Sequence, residues 1–147
     1  MAACRCFPEN ETVLKTFRWW QARFNYRQDY PGKVFLALRR HEEDVLALTP
    51  GERQEVWQAA RSMREAVGSI LHPDWWNYMF LGNLDRHVHL HMIPRYATPR
   101  TIEGWEFRDR HWGGLHAGQE EPPAEVYAWL LAHLKDAVGK VDMGVFR

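Results

Sequence analysis

His87, His89 and His91 alternate with Val88, Leu90 and Met92 ahead of Ile93. Side chains of an extended segment point to alternate faces. The spacing therefore predicts three imidazoles in a row on one face of a strand, with an apolar row to bury on the other. Alternate strand residues lie roughly 6.6 Å apart along the chain, whereas a nucleophile must come within about 3–3.5 Å of the atom it attacks. A small reacting centre over the middle of the row meets His89, and His87 and His91 flank it. Imidazole titrates near neutrality, so both its forms are at hand. A neutral ring that displaces a leaving group from phosphorus forms a labile P–N bond, which splits one difficult step into two. The same spacing also fits a three-histidine zinc site with an open position for water, or a merely solvated histidine face. Spacing alone leaves these three readings open.

The elements that must position this row are readable on both sides of it. Residues 86–95 read as the histidine strand, ended by Pro94, and residues 75–81 as a strand before it, with a turn at 82–85. Residues 21–27 and 33–38 read as two neighbouring antiparallel strands joined at Asp29-Tyr30-Pro31-Gly32, where Pro and Gly suit a type II turn. Residues 14–20 fit either a short helix or an entry segment. Thr49-Pro50-Gly51-Glu52 announces a helix by its capping box, with Val56, Ala59, Ala60, Met63, Ala66 and Ile70 at helical spacing and a stop before His72-Pro73. Pro122-Pro123 opens a last helix with Val126, Leu130, Leu134 and Ala137 on its apolar stripe and Gly139 as its cap. Residues 97–119 read as an irregular excursion. The order predicts one α+β domain over 1–147 around an antiparallel sheet, with residues 1–12 as a mobile tail.

Composition narrows the partners. Nineteen basic and nineteen acidic residues cancel in a chain of 147, so no net field draws it to nucleic acid or an anionic membrane, and a small ligand is the expected partner. No apolar run is long enough for a membrane span. The two cysteines, Cys4 and Cys6, are too close to form a structural disulfide framework, which points to a reducing, cytoplasmic setting. Eight tryptophans are many for this length; some suit the core and others ligand or subunit contacts.

The run His87-Val88-His89-Leu90-His91-Met92-Ile93, continued by Pro94-Arg95, resembles the signature of the histidine triad superfamily, in which three histidines alternate with apolar residues. Asn77 and Gly82-Asn83 precede the run at about that family's spacing. Asn25, Pro31-Gly32 and residues 34–38 resemble its nucleotide-binding hairpin, and the likeness extends over residues 21–96. The run from Asn77 to Asn83 resembles a bacterial branch associated with diadenosine polyphosphate hydrolysis. The resemblance implies a histidine triad fold with a roughly five-stranded antiparallel sheet and two main helices, often paired as a homodimer. It implies a nucleotide hydrolase or transferase acting at an α-phosphate, usually of an adenosine nucleotide. It implies cleavage of a phosphoanhydride or phosphoramidate through a covalent nucleotidyl-histidine. Water or phosphate serves as the acceptor, and a nucleotide-binding module with little turnover is the alternative.

On the same footing His89 is the nucleophile, His91 lies near phosphate oxygens or the leaving group, and His87 supports the row. Asn25 binds ribose hydroxyls, while Asn77 and Asn83 contribute amides near the phosphates. Each Asn also has a plain role holding a turn or strand end. The base is expected in an apolar cleft near Phe24, Val34 and Leu36. Two positions differ from the family pattern: Leu84 stands where a hydroxyl is common, and Lys33 where a histidine is common. No cofactor is expected to be required. Some members hold zinc through two cysteines and two histidines, for which Cys4, Cys6, His41 and His87 are the candidates here, although one residue between the cysteines is short of the usual two. In the excursion, Arg100, Arg108, Arg110, His111 and Trp112 are candidates to approach the site and hold distal phosphates.

Overall fold

A computed structural model describes residues 6–141. Five antiparallel strands form the main sheet: β1 (Val13–Thr16), β2 (Trp20–Phe24), β3 (Val34–Leu38), β4 (Trp75–Met79) and β5 (His89–Arg95), in the order β1-β2-β3-β5-β4. Two helices, α1 (Pro50–Leu71) and α2 (Ala124–Lys140), cover one face. Trp20, Val34, Leu36, Leu90 and Met92 point into that layer and are fully buried against Val56, Met63 and Leu130. The α+β architecture expected from the sequence, a five-stranded antiparallel sheet with two main helices, is the one observed.

No helix forms over residues 14–20: Val13–Thr16 are β1, which pairs with β2 through a bulge, and residues 17–19 are the bend between them, where Phe17 N donates to Trp20 O at 2.8 Å. The turn before β3 closes with Lys33 N donating to Tyr30 O at 3.1 Å, and Gly32 has φ +89°. A Cβ at Gly32 would stand 2.6 Å from Val67 Cγ1 on α1, so glycine is required there both by conformation and by helix–turn contact. Thr49 Oγ1 accepts from Glu52 N, and Glu52 Oε2 accepts from Thr49 N, which completes the capping box of α1. His72 ends that helix in the left-handed conformation.

Several expectations are corrected. The histidine strand starts at His89, so His87 precedes it; Asp85 O accepts from His87 N in a tight bend. Pro94 lies inside the strand. Pairing with β3 stops at Met92, and beyond it only β4 continues, so no partner on the β3 side asks for the missing N–H. Gly139 lies inside α2, which runs on to Lys140 and seats the buried Val138; a helical glycine costs only about 1 kcal/mol. The excursion contains a hairpin of β6 (Arg100–Ile102) and β7 (Trp105–Phe107). Its two turn residues, Glu103 and Gly104, have φ of 48° and 80°, as a two-residue type I′ turn requires.

The segment expected to trail off packs on the sheet from Cys6 onward. Arg23 donates to the carbonyls of Phe7 and Pro8 at 2.6 and 2.7 Å, and Gln21 donates to Glu9 at 2.8 Å. This cover is why β2 is buried on both faces and why its polar–apolar alternation is weak. Among the described residues no helix is long and apolar enough to cross a membrane.

Candidate functional site

The uncovered face of β3 and β5 carries the chemistry. Register places Phe35 opposite His91 and Ala37 opposite His89, and the rings of His89 and His91 meet edge to face at 4.5 Å. His89 is 7% exposed, and its Nδ1 lies 2.6 Å from the carbonyl of His87. A carbonyl can only accept, so His89 carries its proton on Nδ1 and keeps the lone pair on Nε2. Phe7 and Phe35 stand edge-on to the same ring.

His87 lies behind the row. Its Nε2–H donates to Leu38 O at 2.6 Å, and its Nδ1 faces His41 Nδ1 at 3.3 Å. Burial holds its pKa below the ordinary histidine value. At the other end, His91 is half-buried, and its pKa is pushed down to about 4, first by burial, then by His89, Lys33 and His116. It is neutral across the physiological range.

His89 and His91 open onto a cleft of about 280 Å³ that Asn25, Asn83, Lys33 and Asp85 also line. Two expected amides thus reach it. Asn25 also accepts from Arg27 N at 2.9 Å, so it holds the turn and borders the cleft together. Asn83 follows Gly82, whose φ is 63°. Asn77 goes elsewhere: its Oδ1 accepts from Arg95 Nη1 at 2.9 Å. Phe24, Val34 and Leu36, expected to receive a base, are at most 1% exposed and belong to the core. Their side chains face the helices, as period-two alternation opposite the histidine row demands. The cleft's apolar wall is instead formed by Tyr26, Met79, Leu81, Leu84 and Ile93.

Sequence reasoning missed the group that holds the far wall. Arg95 is 3% exposed and uses every guanidinium N–H. It donates to both carboxylate oxygens of Asp109, at 2.8 and 3.1 Å, and to Asn77, Gly114 O and His111 O. This fastens residues 109–114 beside the sheet, and the next turn brings His116 to the cleft. The three expected arginines do not line it. Arg100 caps α1 by donating to His72 O at 2.9 Å, Arg108 pairs with Glu106, and Arg110 is exposed. His111 is held through its backbone, and Trp112 is exposed. A long polar segment gives no periodic signal for such a clamp.

On the opposite side, Cys6, His41 and His87 each offer a ligand atom, all within 4.8 Å of one another. Cys4 lies outside the described residues. His87 meets the requirement that a metal-binding imidazole be oriented through its second nitrogen, since its Nε2 is held by Leu38 O at 2.6 Å; His41 Nε2 lies 3.6 Å from Glu43.

No protein-family model and no curated protein matches the chain. Solved structures do match in fold. A histidine triad protein from Sinorhizobium meliloti superposes with a TM-score of 0.67 at 20% identity, covering 85% of this chain and 87% of that one. A hypothetical histidine triad nucleotide-binding protein from Sulfolobus tokodaii gives 0.64 at 14% identity, covering 87% and 83%. A zinc-bound histidine triad family protein from Mycobacterium smegmatis gives 0.57 at 18% identity, covering 88% and 84%.

Proposed function

We propose that this chain, which has the histidine triad fold, is a histidine triad nucleotide hydrolase or transferase that works through a covalent intermediate on His89. The observation that carries the reading is the 2.6 Å bond from His89 Nδ1 to the carbonyl of His87 on a ring that lines the cleft. That bond fixes the tautomer that leaves Nε2 nucleophilic, as a base-oriented imidazole must be. Nε2 attacks the α-phosphorus of an adenosine nucleotide, and the bond to the leaving group breaks with its electron pair going to the leaving atom. Water then attacks phosphorus, the P–N bond breaks with its electron pair returning to Nε2, and the water's proton is released to solvent; phosphate as acceptor gives the transferase outcome. The hydrogen-bond partner is a backbone carbonyl, so no side chain has to be ionised for His89 to stay oriented. Asn25 meets ribose hydroxyls and Asn83 a phosphate oxygen at the cleft wall, Asn77 acts through Arg95, and the base lies against Tyr26 and Leu81.

Brief mixing with diadenosine polyphosphates and adenosine phosphoramidate, followed by intact-protein mass spectrometry, tests this. An acid-labile adenylyl adduct is expected, absent in His89→Ala. Turnover with no adduct, or an adduct that survives in His89→Ala, overturns it. Nucleotide binding with neither turnover nor adduct makes the chain a binding module.

The cluster of Cys6, His41 and His87 favours a second role, zinc held at the back of the row. Thiolate and imidazole suit zinc, and the ion would tie the segment before β1 to the sheet without touching the reacting atoms. Elemental analysis of purified protein is expected to find about one zinc per chain; none after growth and purification with zinc overturns that assignment. Exposed Cys6 suits a reducing, cytoplasmic setting. The outer strand β4 leaves Trp75 and Tyr78 exposed, which suits pairing with a second copy.

A further inference from the structure

His116 came to the cleft without any sequence signal, and its surroundings are unusual. It borders the same space as His89 and His91. Its Nδ1 is buried and, among the described residues, is the one buried side-chain nitrogen or oxygen with no hydrogen-bond partner. The ring is nevertheless held firmly. Gly114 O, two residues before it, accepts from Arg95 at 2.8 Å. Ala117, just after it, exchanges two bonds with Tyr30: the hydroxyl donates to Ala117 O at 3.0 Å and accepts from Ala117 N at 3.3 Å. The Tyr30 ring stands edge-on to His116 at 5.8 Å. A histidine kept for packing alone would carry no cost by being apolar, yet this one retains an unpaired buried nitrogen on an anchored turn.

Resting on the nucleotide reading above, we infer that His116 is a fourth working histidine of the cleft, which donates a hydrogen bond to the phosphate oxygens beyond the α-phosphate. An orphaned buried N–H is less readily tolerated than an unused lone pair, so the neutral ring carries its proton on Nε2 and meets the ligand as a donor. Burial first, then Lys33 and Arg95, hold the ring below the ordinary histidine pKa, with Asp29 and Asp109 opposing them. Lys33, tied to Asp29 at 3.0 Å, borders the cleft and keeps further N–H donors for it; Arg27, paired with Glu121 at 3.4 Å, and Asp85 border it too. Leu84, 92% exposed, offers no polar atom to compete for those oxygens. This side of the cleft therefore suits a departing polyphosphate better than a departing amine. No proton is transferred: the departing oxygen leaves with the bond pair and is stabilised as an anion by the N–H.

Calorimetric titration with AMP and ADP separates this role from a structural one. His116→Phe keeps the ring against Tyr30 and removes both nitrogens, while His116→Gln keeps a donor. His116→Phe is expected to weaken ADP binding about tenfold or more and to leave AMP within about twofold, with His116→Gln recovering most of the difference. Equal losses for AMP and ADP, or no loss for either, overturn the inference alone. Wild-type protein that binds neither nucleotide overturns the underlying reading and the inference with it.

Discussion

The two ends of the histidine row are built on opposite terms. At the His87 end both ring nitrogens face partners, Leu38 O and His41, and Phe7 packs edge-on at 5.1 Å. At the His91 end the ring is half-open to the cleft, and the neighbouring His116 keeps a nitrogen unpaired. One end is saturated by its own chain and the other opens on the cleft, so only the second leaves ring atoms within reach of a ligand. His89 sits between them, anchored through Nδ1 by the saturated side and turned to the cleft on the other.

The sharpest break of this comparison is at its midpoint. His89→Ala is expected to lower turnover on the order of 10⁴-fold or more while nucleotide affinity stays near wild type; turnover assays beside calorimetry check both. Next is the clamp that builds the open end. Asp109→Ala leaves the guanidinium of Arg95 buried without its carboxylate, which costs roughly 3–5 kcal/mol. Urea denaturation measures that loss, and hydrogen exchange is expected to rise across residues 109–117 and not around His87.

At the closed end, His41→Ala removes a proposed ligand and should weaken zinc binding by more than the roughly 10–100-fold that follows loss of an outer-shell partner, with a smaller effect on turnover, read by competition with a chelating dye. The smallest effect is electrostatic. His91 titrates at about 4 in the folded protein against 6.5 ordinarily, so between those values the unfolded chain binds the extra proton. Its contribution to stability is complete above about pH 6.5 and is lost as pH falls toward 4. Because the ring is partly open to water, the term is modest. His91→Gln should flatten the decline in urea midpoint between pH 7 and pH 5, relative to wild type.

Much of this contrast was legible in the sequence, in places where a periodicity or a cap has a local physical cause. The alternation of His89 to Met92 encodes a strand with one reactive face, and Thr49 to Glu52 encodes a helix start. The apolar stripe of α2 appeared where expected. What stayed hidden depends on contacts between distant segments. His87 continues the alternation but lies ahead of the strand, because Val88 N donates to Glu42 O and the chain bends at Asp85. Phe24, Val34 and Leu36 read as apolar and near the site, yet the register that sets them on the face opposite the histidines comes from pairing between strands and is not written in their own segments. Arg95 and Asp109, fourteen residues apart, and the arrival of His116 follow from the path of a loop that carries no repeat.

Phe7 has a consequence for how the protein can be handled. Its ring touches the edges of His87 and His89, and its carbonyl is fastened to Arg23. Residues ahead of the first strand thus act as a gasket behind the His89 imidazole, keeping water off the rear of the ring. Trimming or fusing the chain through that stretch amounts to editing the surroundings of His89, the proposed nucleophile, from outside the sheet.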